Sequence, residues 1–207
     1  MATQFNRPPL RKITDFKSKL TGGGARPNLF EVELAFPEAI QIDNDIKDKS
    51  RFLVKAAALP ASNITPIDVN FRGRILKIAG DRTFDTWTIT VLNDVDFSIR
   101  SAFEKWMNLI STHILNTRKE FSTAEGQNAD YKQTIKVSQY NKKGEHAHHY
   151  HFYGAFPSAL SSIALDWGTQ EIEEYTCTWT YDHWLPGGLV PSPRSNSPHL
   201  FPNDQHR

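Results

Sequence analysis

The histidines of the segment HAHHYH are the residues whose type and spacing could best support chemistry in this chain. His146, His148, His149 and His151 lie within six positions, and side chains two apart on a strand point to the same face of a sheet. Imidazoles that share a face could bind a transition metal. Only His149 and His151 are expected inside a strand, and the run holds no acidic or cysteine ligand. This pair is the metal candidate of the sequence, against a plainer interpretation as a polar loop that enters the solvent face of a strand.

The other reactive side chains do not form a catalytic arrangement. The glycines at 22–24 are not followed by the Lys-Ser/Thr of a phosphate-binding loop, and carboxylate pairs such as Asp43/Asp45 are expected to be solvated charges. Cys177 is the single cysteine, which excludes a disulfide framework and a CxxC zinc site. It lies in a strand pattern without an adjacent cation, so we expect core packing and no nucleophile. These residues therefore predict no catalytic site.

Composition places the chain among soluble one-domain proteins. It has 207 residues, of which 39% are hydrophobic and 23% charged, enough for one sizeable core. The formal net charge of +1 creates no overall field for nucleic acid or a membrane surface. No apolar run reaches the roughly 18–20 residues of a membrane span, and the polar start is unlike a signal peptide. We expect neither a membrane anchor nor signal-directed export.

The two ends differ in composition from the middle. Residues 1–28 hold six basic residues against Asp15 alone, so we expect residues 1–22 to form a basic arm that is mobile or ordered by a partner. Residues 23–184 are expected to form the folded domain. Residues 185–207 contain five prolines and no hydrophobic period, which predicts a disordered or surface-lying extension.

Hydrophobic alternation predicts a mainly β (α+β) fold. Strands are expected at 28–36, 51–59, 131–140, 149–156, 161–167 and 171–184, with a charged loop at 37–50. In the last strand Tyr175, Cys177, Trp179 and Tyr181 share one face. Residues 67–79 and 83–92 are predicted to form a long hairpin with its turn at Gly80-Asp81. The apolar positions change parity at Gly73, which indicates a bulge or sharp bend there.

One flanking helix is predicted at about 98–116. Phe103, Trp106, Met107, Ile110 and Ile114 follow a helical period. Ser101 and Glu104 have the spacing of a capping box, although Asp96 or Ser98 could cap instead. The resulting architecture is an antiparallel β-sandwich or partly closed barrel with one α-helix packed on it.

Four sequence blocks resemble the tail tube proteins of contractile-tailed bacteriophages. They are GGARPNLFEVEL (23–34), FRGRILKIAGDRTFDTWTITVLND (71–94), FSIRSAFEKWMN (97–108) and YGAFPSALSSIALDWGTQEIEEYTCTWTYDHW (153–184). Their order and spacing cover about four-fifths of the chain, from Leu20 to Trp184. The proline-rich extension and the histidine-rich segment depart from the family pattern.

The resemblance implies a structural virion protein of the phage tail that is assembled in the host cytoplasm. In that family six copies form a ring, and rings stack into the hollow inner tube of the contractile tail, through which DNA passes into the host. Related tubes occur in type VI secretion (Hcp) and in R-type pyocins. The implied partners are further copies of the chain, the tail sheath, the baseplate or tube initiator, the tape-measure protein and the tail terminator. DNA would pass without specific binding. The family also implies that the protein is not an enzyme and has no cofactor.

The same resemblance suggests which residues face the channel and the neighbouring subunits. A conduit should hold few exposed Lys and Arg side chains, since phosphate contacts dominate nonspecific DNA affinity. The lumen candidates lie in DRTFDTWTIT: Asp81, Asp85, Thr86, Thr88 and Thr90. The hairpin about Gly73, the loop 43–66 and the basic arm are assigned to contacts between subunits and rings. The interface candidates are Arg26, Asp43, Asp45, Arg72 and Arg74.

Three alternatives remain open from the sequence. The chain could be a tube-like baseplate or terminal junction protein, which forms a ring without polymerising readily. It could be a ring of a secretion-type tube. A metal-dependent β-barrel enzyme would instead use the cluster from His146 to His151, although the glutamate and later histidine that such a site needs are missing from the motif.

Overall fold

The computed structural model describes residues 12–115 and 131–189. Within them lie three α-helices and nine β-strands. The helices are α1 (Ile13–Lys19), α2 (Asn44–Leu53) and α3 (Ser98–Ile110). The strands are β1 (Phe30–Leu34), β2 (Val54–Ala57), β3 (Asn63–Phe71), β4 (Arg74–Thr83), β5 (Trp87–Leu92), β6 (Gln133–Tyr140), β7 (His146–Leu160), β8 (Glu174–Thr180) and β9 (His183–Pro186).

Seven strands form one antiparallel sheet that bends around the core. Its order is β1-β6-β7-β8-β5-β2, and β9 also pairs with β7. β7 lies in the middle of this order and connects its two parts. Residues 146–155 of β7 pair with β6, and residues 156–160 pair with β8. We call β1, β6, β9 and the start of β7 the first half-sheet, and β2, β5, β8 and the end of β7 the second half-sheet. The mainly β, antiparallel prediction is confirmed; the described strands do not close a barrel.

The bend in β7 depends on a glycine. Gly154 has φ +65°, a conformation that residues with a Cβ rarely adopt. A Cβ there would also collide with the carboxylate of Asp182. That carboxylate accepts hydrogen bonds from Lys132 Nζ at 2.8 and 2.9 Å. The sequence therefore fixes the place where the strand passes from one half-sheet to the other.

The core fills the space between the half-sheets and α3. The residues predicted to share a face in the last strand, Tyr175, Cys177, Trp179 and Tyr181, all point into it. Trp179 lies edge-on to Trp106 and Phe103 of α3, with ring centroids 5.3 and 5.6 Å apart, a favoured aromatic geometry. Burial raises the pKa of the Cys177 thiol well above its usual range. This cysteine packs in the core as expected.

The prediction of the long hairpin was wrong in its pairing. β3 pairs with β4 around a two-residue turn at Arg72-Gly73, with φ values of +45° and +80°. Residues 80–81 lie inside β4 and are not a turn. Residues 87–92 form β5, which pairs with β2 and β8. The parity change at Gly73 therefore marks the hairpin turn itself, because a tight turn accepts positive φ at both central positions.

The described residues contain two α-helices, α1 and α2, in addition to the one that was predicted. The predicted loop 37–50 contains most of α2, and the strand predicted at 51–59 is reduced to β2. α3 begins as expected but ends at Ile110. Its first turn is not capped by a Ser101/Glu104 box: the Asp94 carboxylate accepts the Ser98 backbone N–H at 2.9 Å and the Ser98 hydroxyl at 2.5 Å.

The last third of the chain also departs from the prediction. β7 runs to Leu160, residues 161–167 are not a strand, and residues 171–184 divide into β8 and β9. The predicted extension has its first two residues in β9; residues 190–207 lie outside the described part, as do residues 1–11 of the predicted arm. The described part of that arm contains α1. No helix among the described residues is long and apolar enough to span a membrane.

Candidate assembly surfaces

The β3–β4 hairpin carries an apolar surface that nothing in the described chain covers. Directly opposed residues of an antiparallel pair share a face, and the register pairs Ile67 with Ile78, Val69 with Leu76 and Phe71 with Arg74. The five apolar side chains are between 40% and 67% exposed. We call this surface, Ile67, Val69, Phe71, Leu76 and Ile78, the apolar hairpin face. The reverse face includes Asp68 and Lys77, whose charged groups are 2.8 Å apart.

Such a hairpin needs a second surface. A two-stranded hairpin is marginally stable in water, and neither strand makes extensive contact with a described element outside the hairpin. Complete burial of an aliphatic or aromatic side chain contributes about 1.5–3 kcal/mol. If a second surface covered these five half-exposed side chains, the burial would contribute on the order of 5 kcal/mol per hairpin to the free energy of association.

The second half-sheet has a threonine-rich outer face. Thr88 lies opposite Thr178 and Thr90 lies opposite Thr176, while their sequence neighbours point into the core. The hydroxyls of Thr88 and Thr178 are 3.2 Å apart. Lys55, at the edge of this face, is paired with Glu174 at 2.5 Å. We call Thr88, Thr90, Thr176 and Thr178 the threonine face; it has no excess of positive charge among the described residues.

The five lumen candidates occupy three different places. Thr88 and Thr90 are on the threonine face. Asp85 and Thr86 lie in the segment that joins β4 to β5, where Asp85 accepts a hydrogen bond from Asn63 Nδ2 at 2.7 Å. Asp81 lies on β4, away from the second half-sheet. The structure separates them because the chain leaves the hairpin before it enters β5.

The interface candidates are exposed but not grouped. Arg72 lies in the turn of the hairpin, Arg74 begins β4 directly after it, and Arg26 precedes β1. Asp43 and Asp45 are not part of an acidic loop, because they begin α2. Asp45 pairs with Lys49 at 3.4 Å. The segment 43–66, which was predicted to be a loop, therefore contains α2 and β2 in its first part.

All four histidines of the segment lie in β7, although only His149 and His151 were expected inside a strand. His149 and His151 share the outer face of the first half-sheet, with ring centroids 5.3 Å apart, whereas His148 points to the other face. Burial, and then positive neighbours including Lys136, lower the pKa of His149, while burial and then His149 lower the pKa of His151. Among the described residues no group of three or more His, Cys, Asp or Glu side chains is arranged to hold a metal ion. Two imidazoles without a third ligand do not fit a transition-metal site.

An ion-pair network lies beside the histidines. Arg51 of α2 contacts Glu33 at 2.7 Å and Glu31 at 3.5 Å, and Glu33 also contacts Lys136 at 3.5 Å. The Tyr140 hydroxyl donates to Glu31 at 2.5 Å, and this bond, with burial, raises the pKa of Tyr140 to about 12. The network fastens α2 to β1. Sequence reasoning missed it because α2 itself was not predicted.

An uncovered apolar hairpin and strands with open edges are features of proteins that assemble with further copies or partners. The phage tail tube protein family matches residues 25–186. The chain belongs to this family. It is 32% identical over 166 residues to the tail tube protein gp19 of Enterobacteria phage T4, an alignment that covers 79% of this chain and 93% of that protein.

Solved structures share the fold. The tube-terminating cap of the anti-feeding prophage aligns with 90% of this chain and 98% of its own, with a TM-score of 0.57 and 19% identity. A sheath–tube complex of an extracellular contractile injection system, in the extended state, aligns with 82% of this chain and 95% of its own, with a TM-score of 0.54 and 16% identity. The protein is thus a structural component of the tail tube in a phage virion.

Proposed function

We propose that six copies of this chain form a ring and that rings stack into the hollow inner tube of a contractile tail, through which phage DNA passes. The apolar hairpin face is the observation that carries this proposal. Its five apolar side chains are 40–67% exposed, and the described part of the chain does not cover them. A neighbouring subunit supplies the missing cover.

The edges of the second half-sheet support ring closure. β2 pairs only with β5, and residues 156–160 of β7 pair only with β8. Each edge is therefore open on one side among the described strands. Open edges invite pairing with another chain, and two different edges that meet in a closed cycle form a heterologous ring. Pro157, which lacks an N–H, fits an edge position.

The size of such a ring suits a DNA channel. Four strands from each of six subunits, spaced about 4.8 Å apart and tilted by about 40°, have a circumference of roughly 150 Å and a diameter of roughly 48 Å. Side chains of about 5 Å on each wall leave roughly 38 Å, against about 20 Å for a DNA duplex. The threonine face would line this channel, and its lack of excess positive charge would let DNA move without being held.

The remaining partners follow from this role. The sheath would surround the tube, the baseplate or initiator would start it, the terminator would close it, and the tape-measure protein would occupy its channel during assembly. The proposed role of the chain is structural and involves no reaction, in line with its tail tube relatives. The proposed division of the chain is an arm (1–22), a tube domain (23–184) and an extension (185–207).

Electron microscopy with matched hairpin variants tests the proposal. The purified full chain is expected to form sixfold rings and hollow tubes at high concentration. Val69→Asn with Leu76→Asn should abolish tubes, whereas Asp68→Asn with Lys77→Gln on the reverse face should retain them. Rings that never stack would favour the junction protein. A wild-type chain that stays monomeric at every concentration would sink the tube proposal.

A further inference from the structure

The loop between β7 and β8 is a second exposed apolar surface. Leu165, Trp167 and Ile172 are each at least 70% exposed. Ile163, Leu165 and Trp167 alternate as in a strand, which is why residues 161–167 were predicted to be one. In the structure this segment pairs with no described strand. We call residues 161–173 the β7–β8 loop.

This loop is also acidic. It contains Asp166, Glu171 and Glu173 and no Lys or Arg. None of these carboxylates forms an ion pair with a described residue: Asp166 accepts the backbone N–H of Gly168 at 2.8 Å, and Glu173 accepts Asn93 Nδ2 at 2.9 Å. The surface therefore combines exposed apolar groups with uncompensated negative charge.

The tip of the β3–β4 hairpin has the complementary character. Phe71 and Ile75 are more than 60% exposed, and they flank Arg72 and Arg74. The Arg72 guanidinium lies 5.3 Å from the ring centre of Phe71, and neither arginine forms an ion pair with a described carboxylate. We call residues 71–75 the hairpin tip.

The two surfaces belong to opposite ends of the same half-sheet. β5 and β8 are antiparallel, with Trp87 opposite Trp179 and Leu92 opposite Glu174. The hairpin leads into β5 at the Trp87 end, while the β7–β8 loop leads into β8 at the Glu174 end. A copy displaced along the strands would bring its hairpin towards the loop of the first copy. Such a contact is head-to-tail and repeats without limit, as a stack requires.

We infer that the β7–β8 loop is the docking surface for the hairpin tip of a second copy in the adjacent ring. Trp167 and Leu165 cover the apolar side chains of the tip, and Asp166 and Glu171 face Arg72 and Arg74. This inference rests on the proposed tube. α1 is a rival occupant, since it exposes Ile13 and Phe16 among lysines. The hairpin is favoured because it is rooted on the same half-sheet as the loop.

Cysteine cross-linking of the full chain tests the contact. Asn70→Cys with Thr169→Cys places one thiol beside the tip and one in the loop, both at exposed positions; buried Cys177 stays in place. Oxidation of the assembled protein should give a ladder of covalent oligomers that collapses to one band on reduction. Asn70→Cys with Lys105→Cys, whose second thiol lies on α3, is the control and should give no ladder.

The outcomes separate the contact from the tube. Tubes that form without the Asn70–Thr169 ladder overturn the contact and leave the tube standing. A ladder in a sample of open chains without rings supports the contact and contradicts the sixfold tube. A ladder from Lys17→Cys with Thr169→Cys, in place of the Asn70 pair, assigns the loop to α1 and overturns the inference.

Charge reversal supplies a second readout. Glu171→Lys should raise the protein concentration needed for tubes by at least about tenfold, because six weakened contacts act together in each ring. Arg74→Glu added to Glu171→Lys should restore most of that loss. If wild type and Glu171→Lys need the same protein concentration to form tubes, the result contradicts the assigned contact.

Discussion

At the level of single residues, the histidine pair shows how a chemical motif can serve packing. His149 packs on Gly187, where a Cβ would collide with the imidazole. His151 is followed on the same face by Tyr153, which stacks on His183 with ring centroids 5.0 Å apart. Neutral imidazoles suit this layer, because a charged ring would lie near Lys136. His149 and His151 thus take part in the packing of the first half-sheet.

The lowered pKa values predict a pH dependence of stability. Between pH 6.5 and the lower folded pKa values of His149 and His151, the unfolded chain binds more protons, so stability is present above pH 6.5 and is lost as pH falls. The melting temperature should therefore fall between pH 7.5 and 5.5. His149→Gln with His151→Gln should flatten this slope, while exposed His146→Gln should not. An unchanged slope in the double variant would contradict the assignment.

Asp94 is predicted to stabilise the start of α3. Burial opposes its charge, but hydrogen bonds from the Ser98 hydroxyl and backbone outweigh burial and lower the pKa of Asp94. Asp94→Ala should cost about 1 kcal/mol, as expected for a lost helix cap. Exposed Asp96→Ala, which loses only a 3.9 Å contact to Lys49, should change the free energy of unfolding by less than about 0.5 kcal/mol. Urea denaturation at pH 7 measures both; equal losses would refute the cap.

At the level of elements, the hairpin should behave differently before and after assembly. Trypsin cleaves after Arg and Lys, and Arg72, Arg74 and Lys77 are all exposed on the monomer. We expect rapid cleavage in this segment for unassembled protein and at least about tenfold slower cleavage in tubes, because local opening is suppressed where the backbone is covered. Mass spectrometry of the fragments locates the sites. Cleavage at the same rate in both states would show that the hairpin stays uncovered.

The sequence predicted those elements whose hydrophobic period is satisfied within the chain. Regular hydrophobic patterns predicted β1, β6, β8 and the start of α3. The three strands have alternating apolar residues, and α3 has a helical period. α2 was missed because its inner face is narrow: Ile46, Ser50 and Leu53 follow a helical period, but Ser50, although fully buried, does not read as a core residue. The Asp43 that precedes α2 was the available signal for a helix start.

The false strand at 161–167 and the misplaced turn have a different cause. Both lie in segments that expose apolar side chains, such as Leu165, Trp167 and Ile78, which the described part of the chain does not cover. A hydrophobic pattern indicates which residues need burial. It does not indicate whether the same chain or a neighbouring molecule buries them. For this reason the assembly surfaces were the least predictable part: Trp167 was missed entirely, and the lumen candidates were divided among three places.

At the level of the whole molecule, the threonine face predicts how the tube treats DNA. Thr88→Lys with Thr178→Lys would place about twelve added lysines in each ring of the proposed channel. Tubes of this variant should retain linear DNA at low salt, with a strong decrease in retention as salt rises. Thr88→Ser with Thr178→Ser is the neutral control and should retain none. Filter binding measures retention, and assembled tubes of the lysine variant that release DNA like wild type would place this face outside the channel.

The passage of β7 through both half-sheets has a mechanical consequence. Under load along the tube axis, two sheets that share no strand would transmit force to each other only through side-chain packing and the loops that connect them. Here fifteen residues of continuous backbone join the two halves, so force crosses between them through covalent bonds. Failure then requires many ladder hydrogen bonds to break at once, which slows forced unfolding. The two half-sheets of a subunit therefore resist compression together and do not slide past each other.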